Sequence, residues 1–136
     1  DLKTPTRPLS PHLQIYRWPV TMTMSILHRI TGGALHVGTL ILAVWLIAAA
    51  WGRDALAYLH GWLSSPLGVV VLVGYTWALM HHMLGGIRHL IWDLGYGMER
   101  GSRVALSYAT LIGSVLLTAA IWFVGYKATQ GWGVWK

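Results

Sequence analysis

Three long runs of this chain contain no Asp, Glu, Lys or Arg, and they decide what it can fold into. They are 23 residues between Arg29 and Arg53, 33 between Asp54 and Arg88, and 23 between Arg103 and Lys127. Each exceeds the roughly 20 residues that cross a hydrocarbon core as a helix. Of the 136 residues, 55% are apolar and only 10% charged, too few charges for a soluble domain of this size. The fold class expected is an all-α membrane protein with three transmembrane helices in a bundle. The crossings consume most of the chain, so a separate soluble domain is not expected.

Residues 1–20 hold Pro5, Pro8, Pro11 and Pro19 and do not read as a signal peptide. Proline removes a backbone donor and disfavours helix at the preceding residue, so this segment is expected to lie extended on the membrane surface. The spans are placed at 21–51, 66–92 and 104–126. Ser65 is suited to cap the second, with Pro66 in its first turn. Gly95-Tyr96-Gly97 and the polar stretch after it connect to the third. Many of the nine Trp and six Tyr fall near the expected span ends, as interfacial aromatic belts require.

The net charge of +6 does not point to nucleic acid, because the basic residues flank the apolar runs. Lys3, Arg7, Arg17 and Arg29 precede the first run and Arg88, Arg100 and Arg103 surround the second connection, whereas Arg53 stands alone in the first. The positive-inside bias places the N-terminus and second connection in the cytoplasm or matrix and the C-terminus outside. With no cysteine, any metal must be held through nitrogen, oxygen or Met sulfur, and the seven histidines become the candidates.

Polar residues at membrane depth are costly and usually face a cavity, a cofactor or a partner helix. On the first helix Ser25, His28, Arg29, Gly32 and His36 recur at three- and four-residue spacings and share a face. On the second, His82 and His89 share a face, as do His81 and Arg88, with Gly85 and Gly86 one turn beyond His82. The glycines read either as tight helix packing or as room for a planar macrocycle beside an axial imidazole. His36 reads first as a helix-bridging hydrogen-bonder rather than a ligand, and His12 and His60 as interfacial residues. No second histidine of matching depth stands out in the chain, which implies a ligand from a partner chain.

Three blocks then become recognisable: Arg7-Pro8-Leu9-Ser10-Pro11-His12-Leu13, Ser25-Ile26-Leu27-His28-Arg29 with Thr31-Gly32, and His82 followed by Gly86-Ile87-Arg88-His89-Leu90-Ile91-Trp92-Asp93. Together and in this order they resemble the succinate dehydrogenase cytochrome b subunit, over nearly the whole chain. The resemblance implies a heterotetramer of a flavoprotein, an iron–sulfur protein and two membrane anchors, able to assemble further as a trimer. The helix bundle would be shared with the second anchor subunit. Electrons would pass from succinate through flavin and iron–sulfur clusters to ubiquinone. It further implies a quinone pocket at Trp18, Met22, Ser25, Ile26 and Arg29. Haem b would take His82 rather than His81 as an axial ligand, with His28 and Arg29 toward its propionates.

The chemistry agrees with these roles. Quinone reduction puts negative charge on carbonyl oxygens, which a serine hydroxyl and a guanidinium can stabilise in a dry site. Two axial imidazoles leave no open coordination position, so such a haem exchanges electrons and does not bind oxygen. The position of Pro19 favours a bacterial plasma membrane over the mitochondrial inner membrane. Rival readings are a quinol:fumarate reductase anchor, a stand-alone b-type cytochrome, and a non-redox membrane subunit or transporter. A reduced-minus-oxidised spectrum with and without partners separates the redox anchor from the last two.

Overall fold

The computed structural model describes residues 11–132. It consists of α1 (His12–Ile15), α2 (Val20–Trp51), α3 (Arg53–Leu63), α4 (Pro66–Asp93) and α5 (Arg100–Trp132). Three segments, Val20–Trp51, Pro66–Asp93 and Arg100–Thr129, are long and apolar enough to cross a membrane. The chain is an all-α membrane protein.

The helix boundaries follow from local chemistry. In the segment expected to be extended, the Pro11 carbonyl accepts the N–H groups of Gln14 at 3.0 Å and Ile15 at 3.1 Å, which winds α1. Tyr16 returns to extended backbone and Pro19 precedes α2. The block from Arg7 to Ser10 lies outside the described residues.

The first connection is itself a helix. Gly52, at φ 120°, lets α3 follow α2 directly while its N–H still reaches the Ala48 carbonyl at 3.3 Å. Asp54 in the first turn of α3 complements the helix dipole. Tyr58 and Trp62 stand exposed on it, an arrangement suited to the membrane interface.

Ser65 caps α4, accepting the Gly68 N–H at 3.1 Å, and Pro66 occupies the first turn. A Cβ at Gly68 would stand 2.5 Å from the Trp62 and Leu63 carbonyl oxygens, so the α3–α4 corner requires glycine there. Gly95, at φ 83°, ends α4, with Tyr96 N–H on the Ile91 carbonyl at 3.1 Å. α5 starts at Arg100 rather than 104, since the Glu99 carbonyl already accepts the Arg103 N–H at 2.9 Å. Nothing between them breaks a helix.

The three long helices run antiparallel to their neighbours, with α4 in the middle. α5 presents Ser107, Thr110, Ser114 and Thr118 to the bundle, all buried. Each hydroxyl donates to a carbonyl of its own helix, at 2.7–2.8 Å, so these side chains pack as small, satisfied groups. Small residues are what let membrane helices approach closely. Among the described residues the buried apolar set is short (Met24, Ala48 and Ala78), while Leu46, Val70, Leu116 and Phe123 are more than half exposed. That inversion of a soluble core fits a chain whose surroundings are hydrocarbon and partner helices.

Candidate functional site

The α2–α4 crossing brings histidines from both helices together. The His28 and His82 rings stack with centroids 4.0 Å apart and planes 14° from parallel. His89, two turns along α4 from His82, meets His28 edge-on at 5.3 Å. Glycines make the approach possible. His28 lies where a Cβ on Gly85 would stand, and a Cβ on Gly32 would come within 3.0 Å of His82 Cε1.

The protonation of His82 follows from its partners. Its Nδ1 lies 3.1 Å from the His28 carbonyl oxygen, which can only accept, so Nδ1 carries the proton. Thr31 Oγ1 stands 3.5 Å from the same nitrogen and donates to the Leu27 and His28 carbonyls at 2.9 and 3.0 Å. The lone pair therefore sits on Nε2 of a half-buried ring. Fixing one imidazole nitrogen by a backbone carbonyl is how proteins orient the other toward a metal. His28 adds a second feature, because its Nε2 is buried with no hydrogen-bond partner among the described residues. Such groups are rare and call for a hydrogen-bond partner from outside the chain.

His81 is turned the other way. It is fully buried against α5, with Trp77 at 5.1 Å and Nδ1 3.4 Å from Ser114 Oγ. Because the Ser114 hydroxyl donates to Leu111, His81 is the donor in that pair. Arg88 lies on the same side. Only 3% exposed, it reaches Ser107 Oγ at 3.4 Å and sits over Trp92 at 5.1 Å. It thus belongs to the α4–α5 seam. The glycine pair also divides, since Gly85 is filled by His28 whereas a Cβ on Gly86 would meet nothing within 4 Å.

The remaining candidates form a separate flank of α2. Ser25, Arg29 and Met22 are exposed and Ile26 is half-buried. Their spacings of three and four keep them on one stripe. Ser25 and Arg29 pair with none of the described residues, while Met22 Sδ accepts the Tyr16 hydroxyl at 2.8 Å. Trp18, 61% exposed, stands in the extended link before α2. His36 is also exposed, one turn beyond Gly32, and His60 Nε2 accepts Trp45 Nε1 at 3.1 Å near the opposite end of the bundle.

Two contributors were not legible as site residues. Thr31 was visible as part of a motif, and its place three residues after His28 marks it as facing the same helix. Ser114 carried no signal, because its partner His81 lies 33 positions away.

A sequence profile for the succinate dehydrogenase/fumarate reductase transmembrane subunit matches residues 3–121. The chain belongs to that family. Similar proteins bear it out. The succinate dehydrogenase cytochrome b556 subunit of Paracoccus denitrificans is 43% identical over 127 residues, covering 91% of this chain and 98% of the relative. That of Rickettsia felis is 38% identical over 116 residues, covering 85% and 90%. The mitochondrial cytochrome b560 subunit of Sus scrofa is 40% identical over 121 residues, covering 83% of this chain and 70% of its own length. The recognised blocks around His28 and His82 thus sit in a membrane subunit of succinate dehydrogenase type.

Proposed function

We propose that this chain is the cytochrome b anchor of a succinate:quinone oxidoreductase, holding a flavoprotein and an iron–sulfur subunit at the membrane together with a second anchor subunit. It binds haem b through His82 and contributes the Ser25–Arg29 flank to a ubiquinone-reducing pocket with Trp18, Met22 and Ile26. The succinate site belongs to the flavoprotein. The reading rests on the names of the relatives and above all on one observation, the His82 Nδ1–H bond to the His28 carbonyl. That bond leaves Nε2 as the ligating nitrogen, on a ring seated over Gly32 and next to the open Gly86.

The donor set fits a b-type haem: neutral imidazole, no thiolate, and basic or donor groups close by. Haem bound at His82 supplies one-electron transfer. His28, stacked on His82 with Nε2 unpartnered, is placed to donate to a propionate, and Arg29 to balance its charge. A second ligand would come from the other anchor subunit, because His81 is fully buried on the α5 side of α4 and the His28 and His82 rings leave no space between them.

At the quinone, Ser25 and Arg29 lie one turn apart on an exposed stripe. As electrons arrive from the iron–sulfur partner, the Ser25 hydroxyl donates to the carbonyl oxygen gaining charge and the Arg29 guanidinium neutralises it. Protons then convert the oxygens to hydroxyls. A fixed cation acts best where water is excluded, which the pocket achieves once partner subunits cover this flank. The cation-rich end faces the cytoplasm of a bacterial plasma membrane.

The test compares His82→Leu with His81→Leu in the assembled complex. His82→Leu is expected to lose or alter the low-spin haem spectrum and His81→Leu to keep it. Haem retained in full by His82→Leu would overturn the assignment.

A further inference from the structure

A cavity lies at the end of the bundle away from the histidine cluster. It is a wedge of about 630 Å³ between α4 and α5, roofed by the end of α3. Leu72, Thr76 and the exposed Ile121 line its end nearer the middle of the spans, where Trp122 Nε1 donates to Thr76 Oγ1 at 3.2 Å, so the polar groups there are already paired. Toward the mouth stand Ser64, Tyr126 and Thr129. The lining contains no Asp, Glu, Lys or Arg. A Cβ on Gly125 would meet nothing within 4 Å, so this glycine keeps the wedge open.

We infer that this wedge is a binding site for one acyl chain of a bilayer phospholipid, with the glycerol and ester oxygens at the Ser64–Tyr126–Thr129 mouth. The volume lies in the range of small-molecule sites, and a dry apolar wall with hydroxyls at one end matches a long apolar body with an uncharged neck. Water gains little in a cavity whose polar groups are already satisfied.

A quinone head is a poor match, since no Lys or Arg lines the cavity to stabilise the charge that reduction creates and the Nε2 of the lining His60 already accepts the Trp45 indole N–H. The lining of α4, from Val69 to Thr76, also lies roughly 9–20 Å along the helix from His82. The level is right for a lipid, because α3 and the Tyr126–Thr129 turn mark the end of the spans, where ester groups reside. Seated there, the chain would wedge α3 against α4 and α5.

The experiment uses the complete complex in nanodiscs of phosphatidylcholine carrying a diazirine at the end of one acyl chain. After illumination, peptide mass spectrometry is expected to find adducts at 69–76 and 121–129 enriched over the lipid-exposed Leu116. Gly125→Trp, which fills the wedge, is expected to abolish that enrichment while the haem spectrum and quinone reductase activity persist. Leu72→Trp provides a second filling variant should the first fail to assemble. Label no richer than at Leu116, or enrichment that survives both substitutions, overturns the inference. So does labelling of these peptides by a photoactive quinone in place of the lipid, or their crosslinking to the second anchor subunit.

Discussion

Gly85→Ala is expected to damage this protein through a single contact, and the damage should vanish when His28 is shortened. A methyl at Gly85 would fall on the His28 ring, which is held between His82 at 4.0 Å and His89 at 5.3 Å. The ring cannot yield without leaving the stack. Overpacking of this kind costs about 1–3 kcal/mol, and loss of the ring pair adds about 0.5–1.5 kcal/mol. Replacing a helical glycine by alanine returns at most about 1 kcal/mol. The net expectation is about 1–3 kcal/mol of destabilisation, roughly five- to 150-fold in the folded-to-unfolded ratio. In a His28→Ala background the same substitution meets empty space and should be neutral or slightly stabilising.

A double-mutant cycle on the purified complex checks this, reading unfolding in mixed micelles by loss of the haem absorbance. A coupling energy near zero, with Gly85→Ala equally harmful in both backgrounds, would refute the contact and with it the packing of α2 on α4.

Arg29→Ala is expected to abolish or severely slow quinone reduction while succinate oxidation with a soluble artificial acceptor persists, and equal loss of both activities would indicate failed assembly instead. Cysteine labelling in sealed membranes is expected to place Ser10 and Glu99 on the side of the catalytic subunits and Gly52 and Lys136 opposite. A Gly52→Cys variant labelled from the cytoplasm would reverse the orientation. Ser114→Leu is expected to destabilise the bundle by about 1–3 kcal/mol and displace His81 from its pocket, measured as a lower unfolding midpoint with quinone chemistry retained in the surviving fraction.

The three crossings were legible because the charge-free runs leave a membrane segment few alternatives, and the α4 cap because Ser65-Pro66 is a local signal. α3 was hidden by polarity. Arg53, Asp54 and His60 make the connection look like a link, yet at helical spacing they leave an apolar and aromatic face. The site was legible to the level of residues on a stripe and no further. Spacing put Ser25, His28, Arg29 and Gly32 on one side of α2, but only the crossing of α2 and α4 divides them into an exposed flank and a packed face. Gly85 and Gly86 look equivalent in sequence; which one His28 fills depends on the rotation of α4, set by contacts distant along the chain.

That rotation is the step linking α5 to the chemistry. His81 and His82 are adjacent, so they project about 100° apart, and α4 cannot turn one toward a neighbour without turning the other away. Ser114 holds His81 at 3.4 Å and Ser107 holds Arg88 at 3.4 Å, two anchors seven residues apart on α5 and seven apart on α4. Each bond alone is worth only about 0.5–1.5 kcal/mol, but together with the close approach of the α5 hydroxyl face they fix α4 about its own axis. His82 is then left facing α2, where the His28 carbonyl selects its tautomer. α5 thereby helps determine which of two neighbouring histidines faces α2.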